Sequence, residues 1–302
     1  MVIGGTGYVG QQFIKELSKK NMEIVNVSRE DVDYYSFKSL MNIISTYKPD
    51  FLINCAGYTG KPNVDACELH KEEATRANVW LPRLLAKVCS LTGTPWGHVS
   101  SGCIYTGDNE GKGFSEEDEP NFSFDHDNCS YYSGTKVMGE EAIKEVGESY
   151  YIWRLRIPFD ENDSPRNYLS KMIKYNKLLE ATNSISHLSD FVKYCLRIWT
   201  KKCEYGIYNV VNTDSVTTEQ VTQKINSILK LNKEFDFFEN EEQMYVRAAK
   251  TPRSNCVLDN SKLRATGIRV RSSAKAIEHA LTNWVWEESE HEDSGINKSF
   301  WK

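Results

Sequence analysis

The chain has no dense run of lysine and arginine, and its 37 basic residues are outnumbered by 42 acidic ones, a net charge of −5. That balance argues against nucleic acid as the main partner, because phosphate backbones are met by clustered cations. No apolar stretch reaches the roughly 20 residues that cross a bilayer, and no signal peptide leads the chain, so a cytoplasmic protein without a membrane partner is expected. The eight cysteines (55, 67, 89, 103, 129, 195, 203, 256) lack paired metal-ligand spacing and read as reduced thiols. The six histidines are scattered, and no metal site is expected. There is no internal repeat. What is present is an ordinary globular composition, 40% hydrophobic over 302 residues, enough for one large core or for a domain with a smaller lobe.

Met-Val-Ile enters directly into Gly4-Gly5-Thr6-Gly7-Tyr8-Val9-Gly10, which satisfies both G-x-x-G-x-x-G and G-x-G-x-x-G. Glycine there permits a tight turn, backbone approach to a pyrophosphate and close helix packing. Alone, such a motif is often a plain turn. Here a helix over about 8–20 follows, with Phe13, Ile14 and Leu17 at helical spacing and its N-terminus toward the phosphates. The first strand is short. Residues 23–27 read as the second, and Ser28-Arg29 stand where NAD enzymes place an acid for the ribose hydroxyls. Arg29 suits a 2′-phosphate and favours NADP. The competing reading has Arg29 solvated and Asp31 or Asp33 on the ribose or adenine.

A helix (36–47) and a strand (51–57) come next, and the Cys55-Ala56-Gly57 turn is small enough for a dinucleotide to pass over. The loop from Tyr58 to Asn63 then lies outside the carboxyl ends of the strands. Helices are expected over 64–70 and 72–92; Asn78 in the second is either a link between strands or a cofactor contact. A strand at 97–101 delivers Ser101 and Cys103 to the same edge. Residues 106–130 read as a solvated loop, 132–145 as a helix and 150–158 as a strand. Strands alternating with helices predict an α/β fold with a Rossmann-type doubly wound parallel sheet.

Beyond Pro158 the rhythm changes. A helix starts within 164–171 with Pro165 near its first turn, followed by a helix at Leu188–Thr200 and a strand at 206–211. Thr217 or Thr218 caps a helix to about Leu229, 251–255 is a loop, and Ser272 or Ser273 caps a last helix to about Trp286. The acidic end from Glu287 is expected to be disordered. Residues 1–158, with 188–212 returning to them, form the expected dinucleotide-binding domain. Residues 159–187 and 213–286 form a smaller substrate-binding lobe.

The chemistry concentrates between Ser100 and Lys136. Tyr132 and Lys136 are four residues apart and share one helix face. A phenol beside an ammonium is a proton donor. Its ordinary pKa of about 10 needs lowering by roughly 3 units, about 4 kcal/mol, to work near neutrality, a term a cation about 4 Å away supplies. Ser101 can hold a substrate carbonyl against the phenol.

The glycine loop, Ser-x-Cys (101–103) and Tyr-x-x-x-Lys (132–136) together resemble an extended short-chain dehydrogenase/reductase. Residues 60–68, 102–104, 113–122, 165–171 and 252–255 are similar to the nucleotide-rhamnose synthase, epimerase/reductase family, which includes the C-terminal part of plant rhamnose synthases and giant-virus homologues. The likeness runs to about residue 285; the short start and the acidic tail depart from it. It implies conversion of UDP-4-keto-6-deoxy-glucose to UDP-L-rhamnose with NADPH as hydride donor. Ser101, Tyr132 and Lys136 would serve the reduction, and Cys103 and Lys171 would be the acid/base pair for epimerisation at C3 and C5, with the direction open. It further implies Asn63, Asn167 and Arg253 as substrate contacts, with Arg253 at the diphosphate. A nucleotide-sugar substrate is therefore the expected partner, and a homodimer is compatible with the reading. The alternatives are a dTDP-4-keto-rhamnose reductase without epimerase activity and a non-catalytic nucleotide-binding subunit.

Overall fold

The structure is a computed structural model that describes residues 1–287. Its centre is a parallel sheet of six strands. In chain order the first half runs β1 (Val2–Ile3), α1 (Tyr8–Ser18), β2 (Asn26–Val27), α2 (Phe37–Tyr47), β3 (Leu52–Asn54), α3 (Ala66–Leu69) and α4 (Lys71–Thr75). A π-helical turn (Arg76–Trp80) leads on into α5 (Leu81–Thr92), β4 (Trp96–Ser101), α6 (Tyr131–Val146) and β5 (Tyr150–Leu155). The expected single helix over 72–92 is thus divided by the π turn that carries Asn78.

The second half contributes β6 (Pro158–Phe159), α7 (Tyr168–Lys174), β7 (Lys177–Leu178), β8 (Thr182–Asn183), β9 (Ser186–His187), α8 (Leu188–Thr200) and β10 (Gly206–Asn209). It closes with β11 (Val216–Thr217), α9 (Thr218–Leu229), β12 (Asp236–Phe237), α10 (Glu241–Arg247), α11 (Ser261–Ala265) and α12 (Ser273–Thr282). The sheet order is β10-β5-β4-β3-β1-β2, so the chain reverses direction across the sheet between β1 and β3. In doubly wound sheets ligands bind at that reversal.

Alternating side chains explain the layers. Val2, Ile53, Tyr151 and Trp153 point to one face and pack with Phe13 and Leu17 of α1 and Phe191, Cys195 and Ile198 of α8. Ile3, Leu52 and Ile152 point to the other and meet Leu40 and Ile44 of α2 and Leu81, Leu85 and Val88 of α5. Both faces are covered, as parallel sheets require. A separate core joins Phe159, Leu169, Leu178 and Ile185 to Val221, Ile225, Ile277 and Leu281. It draws on the 159–187 and 213–286 segments, while α8 and β10 between them belong to the sheet.

Several expectations need correction. Residues 106–130 do not form a solvated loop. Phe114 and Phe122 are buried, Glu116 is buried and accepts from Asn209 N at 2.7 Å, and Phe114 bridges to Leu258. The acidic run hid this, because its apolar anchors lie far apart in sequence. α7 begins at Tyr168, so Pro165 precedes it and does not lie in its first turn; Asn167 caps it, its Oδ1 accepting from Leu169 N. The last helix ends at Thr282, capped by Ser272. The tail beyond Glu287 lies outside the described residues.

Candidate active site

The glycine turn is built for close approach. Gly4 has φ +77°, and a Cβ there would stand 2.6 Å from Ala56 N; one on Gly10 would stand 2.1 Å from Gly4 O. Larger residues would push α1 off the strand ends. Gly7 caps α1 without a side chain, and no foreign side chain approaches it. Its neighbours Tyr8, Val9 and Gly10 leave their N–H groups without intrahelical acceptors. Such a cradle fits a pyrophosphate. Cys55 and Ala56 pack against its Gly4, and the Tyr8 hydroxyl is buried toward Asp160; burial first, then that carboxylate, holds the phenol protonated. At the end of β2, Ser28 donates to Asp31 at 2.6 Å while Arg29 is exposed.

Asn78 is 1% exposed, and its amide is committed to protein. Its Oδ1 accepts from Tyr58 N at 2.8 Å, and its Nδ2 donates to Tyr58 O at 2.9 Å and Thr135 Oγ1 at 3.1 Å. The expected link therefore joins the loop after β3 to α6, not two strands. Asn78 positions Tyr58 through this amide.

β4 and α6 bring the catalytic candidates together. Ser101 is buried at the carboxyl end of β4, accepts from Cys103 N at 3.1 Å and lies beside the Tyr132 phenol. Ser130 caps α6, so Tyr132 and Lys136 lie one turn apart. The electrostatics differ from the expectation. Burial, followed by the neighbouring Cys103, raises the Tyr132 phenol above its usual range, with the Ser101 hydroxyl opposing. Lys136 Nζ instead donates to Val99 O at 3.2 Å. Burial pulls the Lys136 ammonium down to about 8, against the opposing pull of Glu140. Glu140 offsets it only in part, because that carboxylate is committed to Arg154 at 2.8 Å and Ser100 at 2.5 Å.

This carries a stability consequence. Lys136 binds its proton less tightly folded, at about 8, than at the ordinary 10.5. Between those values the unfolded chain holds more protons, so stability climbs with pH there, and the full penalty applies below the lower one. In the cofactor-free protein, Lys136→Met is expected to add on the order of 1–3 kcal/mol at neutral pH. The gain should vanish in alkaline solution. Urea midpoints at several pH values check this; a Met variant less stable than wild type at neutral pH would contradict it.

The substrate-side candidates are placed less uniformly. Lys171 lies half-buried on α7, its ammonium pulled down by burial and then by Arg166 and Arg253. Asn63 Oδ1 accepts from Asp65 N at 2.8 Å. Asn167 is fully buried, with Nδ2 donating to Asp160 O at 2.9 Å and Asn162 O at 2.8 Å, so it braces α7 and is not open to substrate. Arg253 is paired with Asp65 at 2.7 Å, and Thr251 Oγ1 accepts from it as well. A diphosphate there would have to displace Asp65.

Two arginines were missed. Arg166 donates to Thr59 Oγ1 and Gly60 O, each at 2.9 Å, and so ties the loop after β3 to the segment before α7. Arg156 donates to Cys103 Sγ at 3.0 Å. The signal for Arg156 was available: arginines at alternate positions of an otherwise apolar central strand must meet partners inside the protein.

The sequence profile of the RmlD substrate binding domain matches residues 1–285. The trifunctional UDP-glucose 4,6-dehydratase/UDP-4-keto-6-deoxy-D-glucose 3,5-epimerase/UDP-4-keto-L-rhamnose-reductase of Arabidopsis thaliana is 34% identical over 272 residues, 87% of this chain. The chain spans only 39% of that relative's length. The bifunctional dTDP-4-dehydrorhamnose 3,5-epimerase/dTDP-4-dehydrorhamnose reductase of the same plant is 32% identical, covering 95% of this chain and 92% of its own. Among solved structures, the L780 UDP-rhamnose synthase of Acanthamoeba polyphaga mimivirus superposes with a TM-score of 0.85 at 23% identity, over 93% of this chain and 98% of that one.

Proposed function

The chain belongs to the RmlD substrate binding domain family, and from that premise we propose that it is an NADPH-dependent reductase of a nucleotide-linked 4-keto-6-deoxy-hexose that also epimerises C3 and C5. The substrate we assign is UDP-4-keto-6-deoxy-D-glucose and the product UDP-L-rhamnose. One observation carries the reading: Ser101, Cys103, Tyr132 and Lys136 meet at the carboxyl edge of β4, beside the strand reversal and the glycine turn.

NADPH, when bound, supplies the hydride for C4. The glycine turn and the α1 N-terminus receive its pyrophosphate, and Arg29 is free to meet a 2′-phosphate. The nucleotide sugar lies between the sheet domain (1–158 with 188–212) and the lobe built from 159–187 and 213–286. Ser101 and Tyr132 donate to the C4 ketone oxygen. Tyr132, held neutral by its burial, passes its proton to that oxygen as the alcohol forms. Lys136 then stabilises the tyrosinate left behind. Before reduction, the same two hydroxyls stabilise an enolate. C3 and C5 flank the ketone, so their protons are acidic, and inversion needs proton carriers on both sides of the ring. Cys103 and Lys171 fill those places.

A dTDP sugar is the alternative substrate, favoured by the nearly full-length likeness to the bifunctional dTDP enzyme. A reductase without epimerase activity would need Tyr132 and Lys136 but neither Cys103 nor Lys171. Incubating the purified chain with UDP-4-keto-6-deoxy-glucose, with and without NADPH, separates these. The expected result is UDP-rhamnose and oxidation of NADPH in preference to NADH, with solvent deuterium entering C3 and C5 even without cofactor. No cofactor oxidation with either the UDP or the dTDP sugar would overturn the reading.

A further inference from the structure

Arg156 is 3% exposed, at the end of β5, and its guanidinium carries a permanent charge. Two residues earlier, Arg154 meets a carboxylate, Glu140, at 2.8 Å. Arg156 has no such match among the described residues. Nη2 donates to Asn183 Oδ1 at 2.5 Å and Ser254 O at 2.6 Å, both neutral. Nε is buried without a partner, and Nη1 points at Cys103 Sγ from 3.0 Å. An uncompensated buried cation is costly, and the environment must supply an anion or lose stability.

The thiols are the candidates for that anion. Cys256 is spent, because its thiol donates to Gly102 O at 3.2 Å. The other titratable groups that face Cys103 are Lys136 and Tyr132 of α6, and neither brings a negative charge in its ordinary state. The turn that carries Cys103 also rests on the arginine, since a Cβ at Gly102 would lie 3.3 Å from Arg156 Cδ. We propose that Arg156 is the counter-charge of Cys103, holding the sulfur as a thiolate and fixing it at the carboxyl edge of β4. Arg156 is then a positioning residue, while Cys103 is the group that meets the sugar.

This deepens the epimerase reading and, for its catalytic meaning, rests on it. The thiolate takes the proton from a carbon next to the C4 ketone. An S–H bond forms, the C–H pair becomes the enolate, and a proton from the Lys171 ammonium, added from the opposite face, completes inversion; the sulfur then gives its proton to solvent and the Lys171 amine takes one back. A guanidinium that stabilises the thiolate keeps the sulfur charged and ready to accept.

The test follows the sulfur, not turnover. Cys103 alkylation by iodoacetamide is measured by mass spectrometry across pH, each rate scaled to its alkaline plateau. In the wild type the profile should lie at lower pH than that of Cys103 in the urea-unfolded chain. Coincident profiles would overturn the proposal without any variant. Arg156→Met should cut the scaled rate at neutral pH about tenfold or more and move the profile toward alkaline pH, with Arg156→Lys recovering part of the loss. Retained NADPH binding shows that each variant is folded. A folded Met variant with the wild-type profile would also overturn it, because a purely structural arginine changes access and the plateau, not the pH dependence. Solvent deuterium exchange at C3 and C5 is scored separately. If the sugar does not exchange while the alkylation profile stays at low pH, the epimerase reading fails and the charge pairing stands.

Discussion

Tyr132→Phe is expected to reduce the rate of NADPH oxidation with UDP-4-keto-6-deoxy-glucose by about 10²–10⁴-fold, the usual range for loss of a positioned proton donor, while NADPH affinity stays nearly intact. The phenyl ring fills the same space on α6, so the cradle formed by the glycine turn, the α1 N-terminus and the β3 turn is untouched. What disappears is the hydroxyl beside Ser101 and, on the proposed reading, the proton it passes to the ketone oxygen. Because burial keeps that phenol protonated, no other group at the β4 edge replaces it readily: Ser101 is a far weaker acid, and Lys136 Nζ is directed at Val99 O. Stopped-flow oxidation and a cofactor titration on the same preparation provide the check. Substantial NADPH oxidation by the purified variant would remove Tyr132 from this role.

Cys103→Ser and Lys171→Ala should divide the two activities. On the proposed reading each removes a proton carrier from one side of the sugar ring, and neither belongs to the Ser101–Tyr132–Lys136 group assigned to the hydride step. Solvent deuterium entry at C3 or C5 should fall by about 10²–10⁴-fold in each variant. A 4-keto-rhamnose nucleotide that is already epimerised should still be reduced at an appreciable rate. Serine is a poor stand-in because its hydroxyl is far less acidic than a thiol and is mismatched to proton transfer near neutrality. In addition, the Arg156 guanidinium would then face a group that does not ionise. Lys171→Ala removes an ammonium already destabilised by burial beside Arg166 and Arg253, so α7 should tolerate the change. NMR of the recovered sugar reports each carbon. If both variants exchange C3 and C5 as fast as wild type, the bifunctional reading fails and a simple reductase replaces it.

Local periodicity and turn chemistry were sufficient wherever the structure is local. Leu188–Thr200 shows its helical stripe in sequence, and the helix has those bounds. Thr217 caps α9 through a capping box with Gln220, three residues away, a signal complete within one turn. Where the partner lies far along the chain, the reading fell short. Residues 106–130 look solvated because Glu116 and its neighbours are acidic, yet Glu116 reaches Asn209 and Phe114 pairs with Leu258. Asn167 stands in a family motif, and nothing in its spacing tells that its amide is consumed by Asp160 and Asn162.

By itself, then, the sequence determined the class of the molecule and the inventory of its chemistry. Glycine positions, a 3.6-residue stripe or a Tyr and Lys four apart act through steric and covalent rules that hold within a few residues. Only the tertiary structure decided the electrical state of that inventory. Lys136 was expected to acidify Tyr132, but packing buries Lys136 and half-buries Tyr132, raises the phenol and pulls the ammonium down to about 8. It also brings Arg156, just past β5, to 3.0 Å from Cys103, 53 residues earlier in the chain, with no carboxylate matched to it among the described residues. Charges interact through space, and their strength depends on the water removed around them. That quantity exists only once β4, β5 and α6 are folded against one another.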